Sequence, residues 1–313
     1  MAVFSHSHYR YFWGKCYGNP TLIGQVTDSP RAHAALTSII EGGFMVGVLS
    51  VTVLFSRFVG TGIVDDSRDW LNVYWMLAGL CALCLALLLT TRDVPATATG
   101  PAPSILAMMA LARLPLVMVF ILCAFSYVFV EQGIGTWLPT FNNEVLRLPQ
   151  AMSVLAGSLF AGAIAVGRLI GGVLIPRFGW YRVVNVALAA VALAIALIVP
   201  LSHQLGSAPV TDWLHAPLAV WLFLGIGLFM APIYPTLVSV LLSSSPRARH
   251  AELMGLVVIF SALGGTAGSR LTAMLFARLD GATAFGSMIV PIAVLAVGVR
   301  LLRRRQLTAG AAD

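Results

Sequence analysis

The stretch VPATATGPAP, residues 94–103, divides this 313-residue chain unevenly. Proline and glycine interrupt regular structure, so the stretch is typical of a linker between two helical regions. About two and a half apolar segments of membrane-crossing length precede it, and about six follow it. We therefore divide the chain into a partial helical bundle at residues 1–92, a cytoplasmic linker at 93–114 and a complete six-helix bundle at 115–313.

The composition is that of a membrane protein. Hydrophobic residues make up 59% of the chain, charged residues make up 10%, and the mean hydropathy is +0.91, whereas soluble proteins carry about 25% charged residues. Backbone groups in lipid must be satisfied within each segment, so we predict an all-α polytopic bundle of about eight transmembrane helices plus an N-terminal helical stub. The predicted spans are Ala34–Phe58, Leu71–Thr91, Leu116–Thr140, Ala151–Ile175, Val183–Leu201, Ala216–Leu242, Leu253–Ala277 and Ala282–Leu302.

The net charge of +7 is distributed between the apolar segments rather than over one basic surface. Arginine and lysine accumulate in cytoplasmic loops of membrane proteins, and the segment Ser202–His215 contains neither. This distribution predicts a multi-pass protein of the cell (inner) membrane whose linker and C-terminus are cytoplasmic. It excludes nucleic acid as the expected partner.

Signatures of enzymes and metal sites are missing. The sequence contains no phosphate-binding loop, no HExxH and no GxSxG. Cys81 and Cys84 form a CxxC, but it lies within an apolar run, where a thiol behaves as a small hydrophobic group. We expect no enzymatic activity and no cofactor.

Glu131 is the strongest candidate for a functional side chain, because an ionised group inside a membrane span costs about 2.5–3.5 kcal/mol. At helical spacing Tyr127 and Gly135 share its face, while Gln132 adds polarity and Trp137 follows toward the outer interface. Two interpretations remain open. Glu131 either binds solute or carries a proton, or it is a structural carboxylate paired with an arginine of another helix.

Two further charged residues within predicted spans are candidates for a functional site. Arg168 either extends to the inner surface or has a conformational or solute-facing role, and Gly167 with Gly171 predicts close helix packing beside it. Glu41, near the inner end of its span, is the other acidic candidate.

The segment GIGLFMAPIYPT, residues 225–236, interrupts the sixth predicted span. Pro232 and Pro235 remove backbone hydrogen bonds, which favours a kink. A kink is either structural or part of a gating helix that places Tyr234 near a cavity.

Four stretches together resemble the major facilitator superfamily, and most nearly its fucose–galactose–glucose–proton symporter branch. YVFVEQGIGTWLPTF (127–141) resembles the seventh helix of that branch, and GRLIGGVLIPRFGWYR (167–182) resembles the loop motif between helices eight and nine. LGIGLFMAPIYPTLVS (224–239) resembles the tenth helix, and GKCYGNPTLI (14–23) resembles the end of the fourth. The resemblance implies that the chain corresponds to helices four to twelve.

The chain departs from the family pattern at two of these motifs. Pro176 stands where the loop motif normally has an acid, and Lys15 stands where the sugar symporters have an acid before Asn19 and Pro20. The first helix of the branch, which carries another functional acid, has no counterpart in this sequence.

The resemblance implies a secondary transporter of a small polar solute, with a sugar as the suggested solute. Its expected partners are that solute, protons carried by Glu131, and the lipid bilayer, and the oligomeric state is left open. An alternative is a transport-inactive fragment or a membrane interaction protein that lacks the first helices.

Overall fold

A computed structural model describes residues 72–90, 105–203, 212–246 and 249–309, together with Gly47 and Ser50. The chain separates into two compact units, residues 1–102 and residues 103–313. Every regular element in the described ranges is helical, and no strand occurs in them.

In the first unit, helix α1 (Asn72–Thr90) occupies the predicted span Leu71–Thr91. Its side chains are mostly exposed, and Trp75 is 78% exposed. The N-terminal stub, Glu41 and the predicted span Ala34–Phe58, apart from Gly47 and Ser50, lie outside the described residues.

The described part of the second unit contains nine helices. They are α2 (Ile105–Ala112), α3 (Pro115–Glu144), α4 (Gln150–Phe178), α5 (Trp180–His203), α6 (Leu218–Met230), α7 (Ile233–Ser243), α8 (His250–Arg278), α9 (Gly281–Gly286) and α10 (Ile289–Ala309). A single 3₁₀ turn, Trp213–His215, precedes α6.

Six spans of the second unit are long and apolar enough to cross a bilayer. They are α3, α4, α5, the pair α6–α7, α8 and the pair α9–α10, with lengths of 24 to 30 residues. Each of the six spans predicted after the linker coincides with one of them to within a few residues. The prediction of an all-α polytopic membrane bundle is confirmed.

Two of the six spans are interrupted, and each break lies four residues before a proline, although Pro139, Pro176 and Pro200 lie inside unbroken helices. Helix α6 ends before Ala231 and α7 begins after Pro232, as the sequence predicts, because the ring of Pro235 would clash with the carbonyl of Ala231 four residues earlier. The break between α9 and α10 was not predicted from the sequence. There the ring of Pro291 would clash with the carbonyl of Ser287, four residues earlier.

The linker assigned to residues 93–114 is partly helical, because α2 lies within it. Its sequence ILAMMALA consists of alanine, leucine, methionine and isoleucine, most of which favour helix strongly. A cytoplasmic position for this segment stays a prediction.

Helices α3 and α8 pack most extensively against each other. Gly264 and Gly268 of α8 lie directly against the backbone of Phe125 and Phe129, so closely that a Cβ atom at either glycine would overlap a carbonyl oxygen of α3. Two helix backbones approach this closely only when one side lacks side chains.

The predicted close packing at Gly167 and Gly171 of α4 is also present. Gly167 lies against the backbone of Leu228 in α6, and Gly171 lies against Pro232 at the α6–α7 break. Helix α4 is therefore held tightly against the interrupted span, one residue away from Arg168.

Candidate functional site

Helix α3 places Tyr127 and Glu131 one turn apart on the same face. The Tyr127 hydroxyl donates a hydrogen bond to Glu131 Oε1 at 3.4 Å. Tyr127 is completely buried, whereas the Glu131 side chain keeps 16% of its surface exposed. The Glu131 carboxylate therefore lies at the edge of the bundle interior, and the Tyr127 phenol lies deeper inside it.

Helix α4 supplies the opposite charge. Arg168 Nη2 lies 3.9 Å from Glu131 Oε1, and its side chain is also 16% exposed. The Arg168 side chain thus lies beside Glu131; the sequence left open whether it extends to the inner surface or has a conformational or solute-facing role. The separation is long for an ion pair, so the attraction between the two groups is weaker than in a directly hydrogen-bonded pair.

Helices α7 and α8 complete the arrangement. The ring of Tyr234 stacks on that of Tyr127, with centroids 5.4 Å apart and an interplanar angle of 28°. The Tyr234 hydroxyl lies 3.2 Å from Ser261 Oγ. Tyr234 lies in the first turn of α7, directly after the break at Pro232. The position of that break therefore determines where the Tyr234 ring lies. We refer to Tyr127, Glu131, Arg168, Tyr234 and Ser261 as the polar cluster.

Ser261 was not identified from the sequence. Serine is common in transmembrane helices, where its hydroxyl hydrogen-bonds to its own backbone or across to another helix. Nothing in its immediate sequence neighbourhood distinguishes it. Only the packing of α8 beside α7 gives Ser261 a tyrosine hydroxyl as its neighbour.

Two predicted site residues lie beside the cluster rather than within it. Gln132 is exposed, and its side chain covers Gly265 of α8. Trp137 donates from Nε1 to the carbonyl of Ser269 at 2.9 Å, and it lies six residues beyond Glu131, or about 9 Å along the helix axis. Trp137 therefore joins α3 to α8 instead of contacting the cluster.

The chemistry of the polar cluster is that of hydrogen bonding and proton exchange. It offers one carboxylate, one guanidinium and three hydroxyl groups from four helices. In the described part of the chain no group of three or more His, Cys, Asp and Glu side chains is placed to hold a metal ion.

The family profile of the Major Facilitator Superfamily matches residues 17–269, which is most of the chain. The chain belongs to the major facilitator superfamily. This membership indicates a transporter rather than an enzyme, as the sequence predicted. It also confirms the expected family and the multi-pass membrane location.

Among solved structures of the superfamily, a point variant of the E. coli fucose:proton symporter FucP resembles the chain with a TM-score of 0.64. The two sequences are 17% identical, and the similarity covers 92% of this chain and 73% of the symporter. At this identity the likeness concerns the fold. No curated protein sequence matches the chain significantly.

Proposed function

We propose that this secondary transporter moves a small polar solute, most simply a sugar, together with a proton that Glu131 carries. The observation that supports the proposal is the contact of one Glu131 oxygen with both the Tyr127 hydroxyl and the Arg168 guanidinium. When the charge of this carboxylate changes, its attraction to Arg168 changes while Tyr127 can still donate to it. Protonation can therefore be coupled to a change of helix packing.

The proposed coupling follows from the charges. When Glu131 is ionised, its attraction to Arg168 holds α3 against α4. When Glu131 takes up a proton, that attraction is lost, while Arg168 keeps its charge at every physiological pH. Tyr127 remains able to donate to the neutral acid. The two protonation states therefore favour different packing of α3 against α4, and a protonation-dependent change of packing within this bundle is what would bias its rocking against the other half of a transporter.

The hydroxyl-rich side of the cluster suits a sugar. Tyr234 and Ser261 can each donate and accept hydrogen bonds, and the exposed amide of Gln132 can do both as well. Aromatic rings beside such groups provide an apolar face for the C–H side of a sugar ring. The structurally similar FucP is a fucose:proton symporter, which agrees with a sugar as the solute.

The proposal includes the placement of the chain in the cell inner membrane with its C-terminus in the cytoplasm. The basic run Arg303–Arg305 lies at the C-terminal end of the last membrane span, as the positive-inside rule requires of a cytoplasmic end. A green fluorescent protein fused after Asp313 should fluoresce in bacteria if this orientation is correct, because it folds poorly after export.

Counterflow and uptake in proteoliposomes test the proposal. The full chain should take up one of a panel of radiolabelled monosaccharides faster when the lumen is alkaline relative to the outside. In Glu131→Gln, sugar exchange at equal concentrations should persist, but the pH gradient should no longer accelerate uptake. Glu144→Gln is the matched control, because Glu144 is an exposed carboxylate on the same helix, outside the polar cluster.

The possible results separate the alternatives. If Glu131→Gln responds to the pH gradient as the wild type does, Glu131 is not the proton carrier. If the folded wild-type chain moves no solute of the panel above the level of empty liposomes, the transport-inactive alternative is favoured. If uptake occurs without any pH dependence, no proton is coupled to it and the coupling proposal is wrong.

A further inference from the structure

A groove runs along the surface of the second unit between helices α5 and α10. It contains about 180 Å³ of free space. Its floor and walls are formed mainly by small apolar side chains, and polar groups occur only at one end, where Asn185 and Arg300 lie. No acidic side chain lines it.

The dimensions of the groove correspond to one leaflet of a bilayer. Its lining on α10 extends over twelve residues, from Ile289 to Arg300, or about 16 Å of helix. One leaflet contributes about half of a hydrocarbon core that is about 30 Å thick. An acyl chain in the groove would therefore reach from the middle of the bilayer to the level of Arg300.

The positive charge at the polar end is reinforced by neighbouring residues. Arg303, one turn after Arg300, is held with its guanidinium 5.6 Å from the ring centre of Tyr181. Asn185 is fixed by a 2.7 Å hydrogen bond from Nδ2 to the Tyr181 carbonyl. Arg182 is exposed three residues before Asn185, on a neighbouring part of the same helix face.

We propose that this groove binds one phospholipid with an anionic headgroup. The acyl chain lies against Ala189, Ala192, Ala293 and Ala296, and the phosphate accepts hydrogen bonds from Arg300 and Asn185. Basic pockets between transmembrane helices on the cytoplasmic side are suited to anionic headgroups. With the orientation proposed above, the lipid belongs to the inner leaflet, but binding itself does not depend on the transport function.

The test measures lipid binding to the full chain purified in detergent. Native mass spectrometry and thermal unfolding should show that phosphatidylglycerol binds and stabilises more than phosphatidylcholine with the same acyl chains. Arg300→Gln should weaken phosphatidylglycerol binding about fivefold, the value expected for one arginine near a headgroup. Ala296→Phe, which fills the groove, should reduce phosphatidylglycerol binding to the level of phosphatidylcholine. Ala293→Leu is a smaller filling variant for use if Ala296→Phe does not fold.

Matched controls distinguish a built site from diffuse attraction. Arg304→Gln removes an exposed arginine outside the groove, and Val297→Phe adds a ring to an exposed position of α10 that does not line it. Both should bind phosphatidylglycerol within about twofold of the wild type, a difference of less than 0.5 kcal/mol by the usual conversion. Equal losses in Arg304→Gln and Arg300→Gln would overturn the proposal in favour of a general charge effect.

Other occupants lead to different results. If glycerol phosphate stabilises the chain as well as the lipid does, the apolar groove contributes nothing and the proposal fails. If the lipid-free chain is a dimer that Ala296→Phe dissociates, the groove is an interface between two copies, and the lipid assignment is wrong.

Discussion

Helix pairs α3–α8 and α5–α10 both have small residues between their helices, but the result is opposite. Between α3 and α8, Gly264 and Gly268 bring the two backbones into direct contact. Between α5 and α10, alanines on both helices leave a groove of about 180 Å³. A glycine removes the last side-chain atom between two helices, whereas facing alanines keep them apart by two methyl groups. Small residues thus bring α3 and α8 into contact, and we call these helices the closed pair. They leave a groove between α5 and α10, which we call the open pair.

The largest expected effect comes from adding two methyl groups to the closed pair. In the double variant Gly264→Ala/Gly268→Ala, each Cβ would overlap a backbone carbonyl of α3, and backbone cannot rotate away. Each overpacked methyl costs about 1–3 kcal/mol, so the free energy of unfolding should fall by roughly 2–6 kcal/mol. Thermal unfolding in detergent, followed by tryptophan fluorescence, measures the loss.

Gly172→Ala is the matched control for that variant. Gly172 also lies within a membrane helix, but a Cβ there would meet nothing within 4 Å. Because alanine favours helix over glycine by up to about 1 kcal/mol, this variant should be unchanged or more stable. Equal losses in the double variant and in Gly172→Ala would show that close backbone contact does not hold α3 and α8 together.

The second largest effect concerns Arg168, which lies next to the other close glycine contact, at Gly167. Arg168→Met leaves the ionised Glu131 without this arginine and should cost roughly 2 kcal/mol. This is below the 3–5 kcal/mol typical of a fully buried pair, since the two groups are 3.9 Å apart and 16% exposed.

A double-mutant cycle separates the pair from the loss of arginine packing. Glu131→Gln/Arg168→Met should recover at least half of the stability that Arg168→Met loses, because a neutral amide needs no counter-charge. If the double variant is as unstable as the sum of the two single variants, the ion pair does not stabilise the bundle.

The sequence predicts features that lie within one helix better than it predicts contacts between helices. The positions of the six spans, the break caused by Pro235 and the shared face of Tyr127 and Glu131 all depend on spacing along one helix, so periodicity reveals them. The partner of Arg168 depends on how α3 and α4 are arranged in space, and spacing along α4 contains no such information.

The same limit explains what was missed. Ser261 belongs to the polar cluster only because α8 lies beside α7. The α5–α10 groove is formed by alanines that look, in sequence, like those of any apolar span. The break at Ser287 was accessible in principle, since Pro291 stands four residues later, as Pro235 does after Ala231. The sequence around this break, residues 281–291, contains one proline, whereas residues 225–236 contain two.

A smaller effect is expected at the turn between α8, which belongs to the closed pair, and α9. Helix α9 leads into α10, which belongs to the open pair. Asp280 caps α9 by accepting hydrogen bonds from the Thr283 hydroxyl and the Thr283 backbone amide, at 2.6 and 2.8 Å. These two bonds, the side-chain one first, hold the pKa of Asp280 below its ordinary value. Asp280→Ala should lower the free energy of unfolding by about 0.5–1 kcal/mol at pH 7.

The pH dependence of this variant has a definite sign. Because the pKa is depressed in the folded chain, the stabilisation is complete above the ordinary carboxyl pKa of about 4 and is lost as the pH falls further. The difference in melting temperature between the wild type and Asp280→Ala should therefore shrink below about pH 4. Asp280→Asn keeps an acceptor without the charge, so the difference in melting temperature between Asp280→Asn and Asp280→Ala should not change over the same pH range. A gap for Asp280→Ala that stays constant down to pH 2 would contradict the role of the ionised cap.

The smallest expected effect is in the open pair, where an added side chain can be compared directly with the added methyl groups in the closed pair. Ala293→Leu adds three carbon atoms to an exposed position that lines the groove, where free space already exists. Unlike the added methyl at Gly268, the larger side chain displaces no backbone, so the free energy of unfolding in lipid-free detergent should change by no more than about 0.5 kcal/mol. A loss of several kcal/mol would mean that α5 and α10 close on each other in detergent. The contrast between a glycine contact that excludes an added atom and an alanine groove that admits one would then disappear.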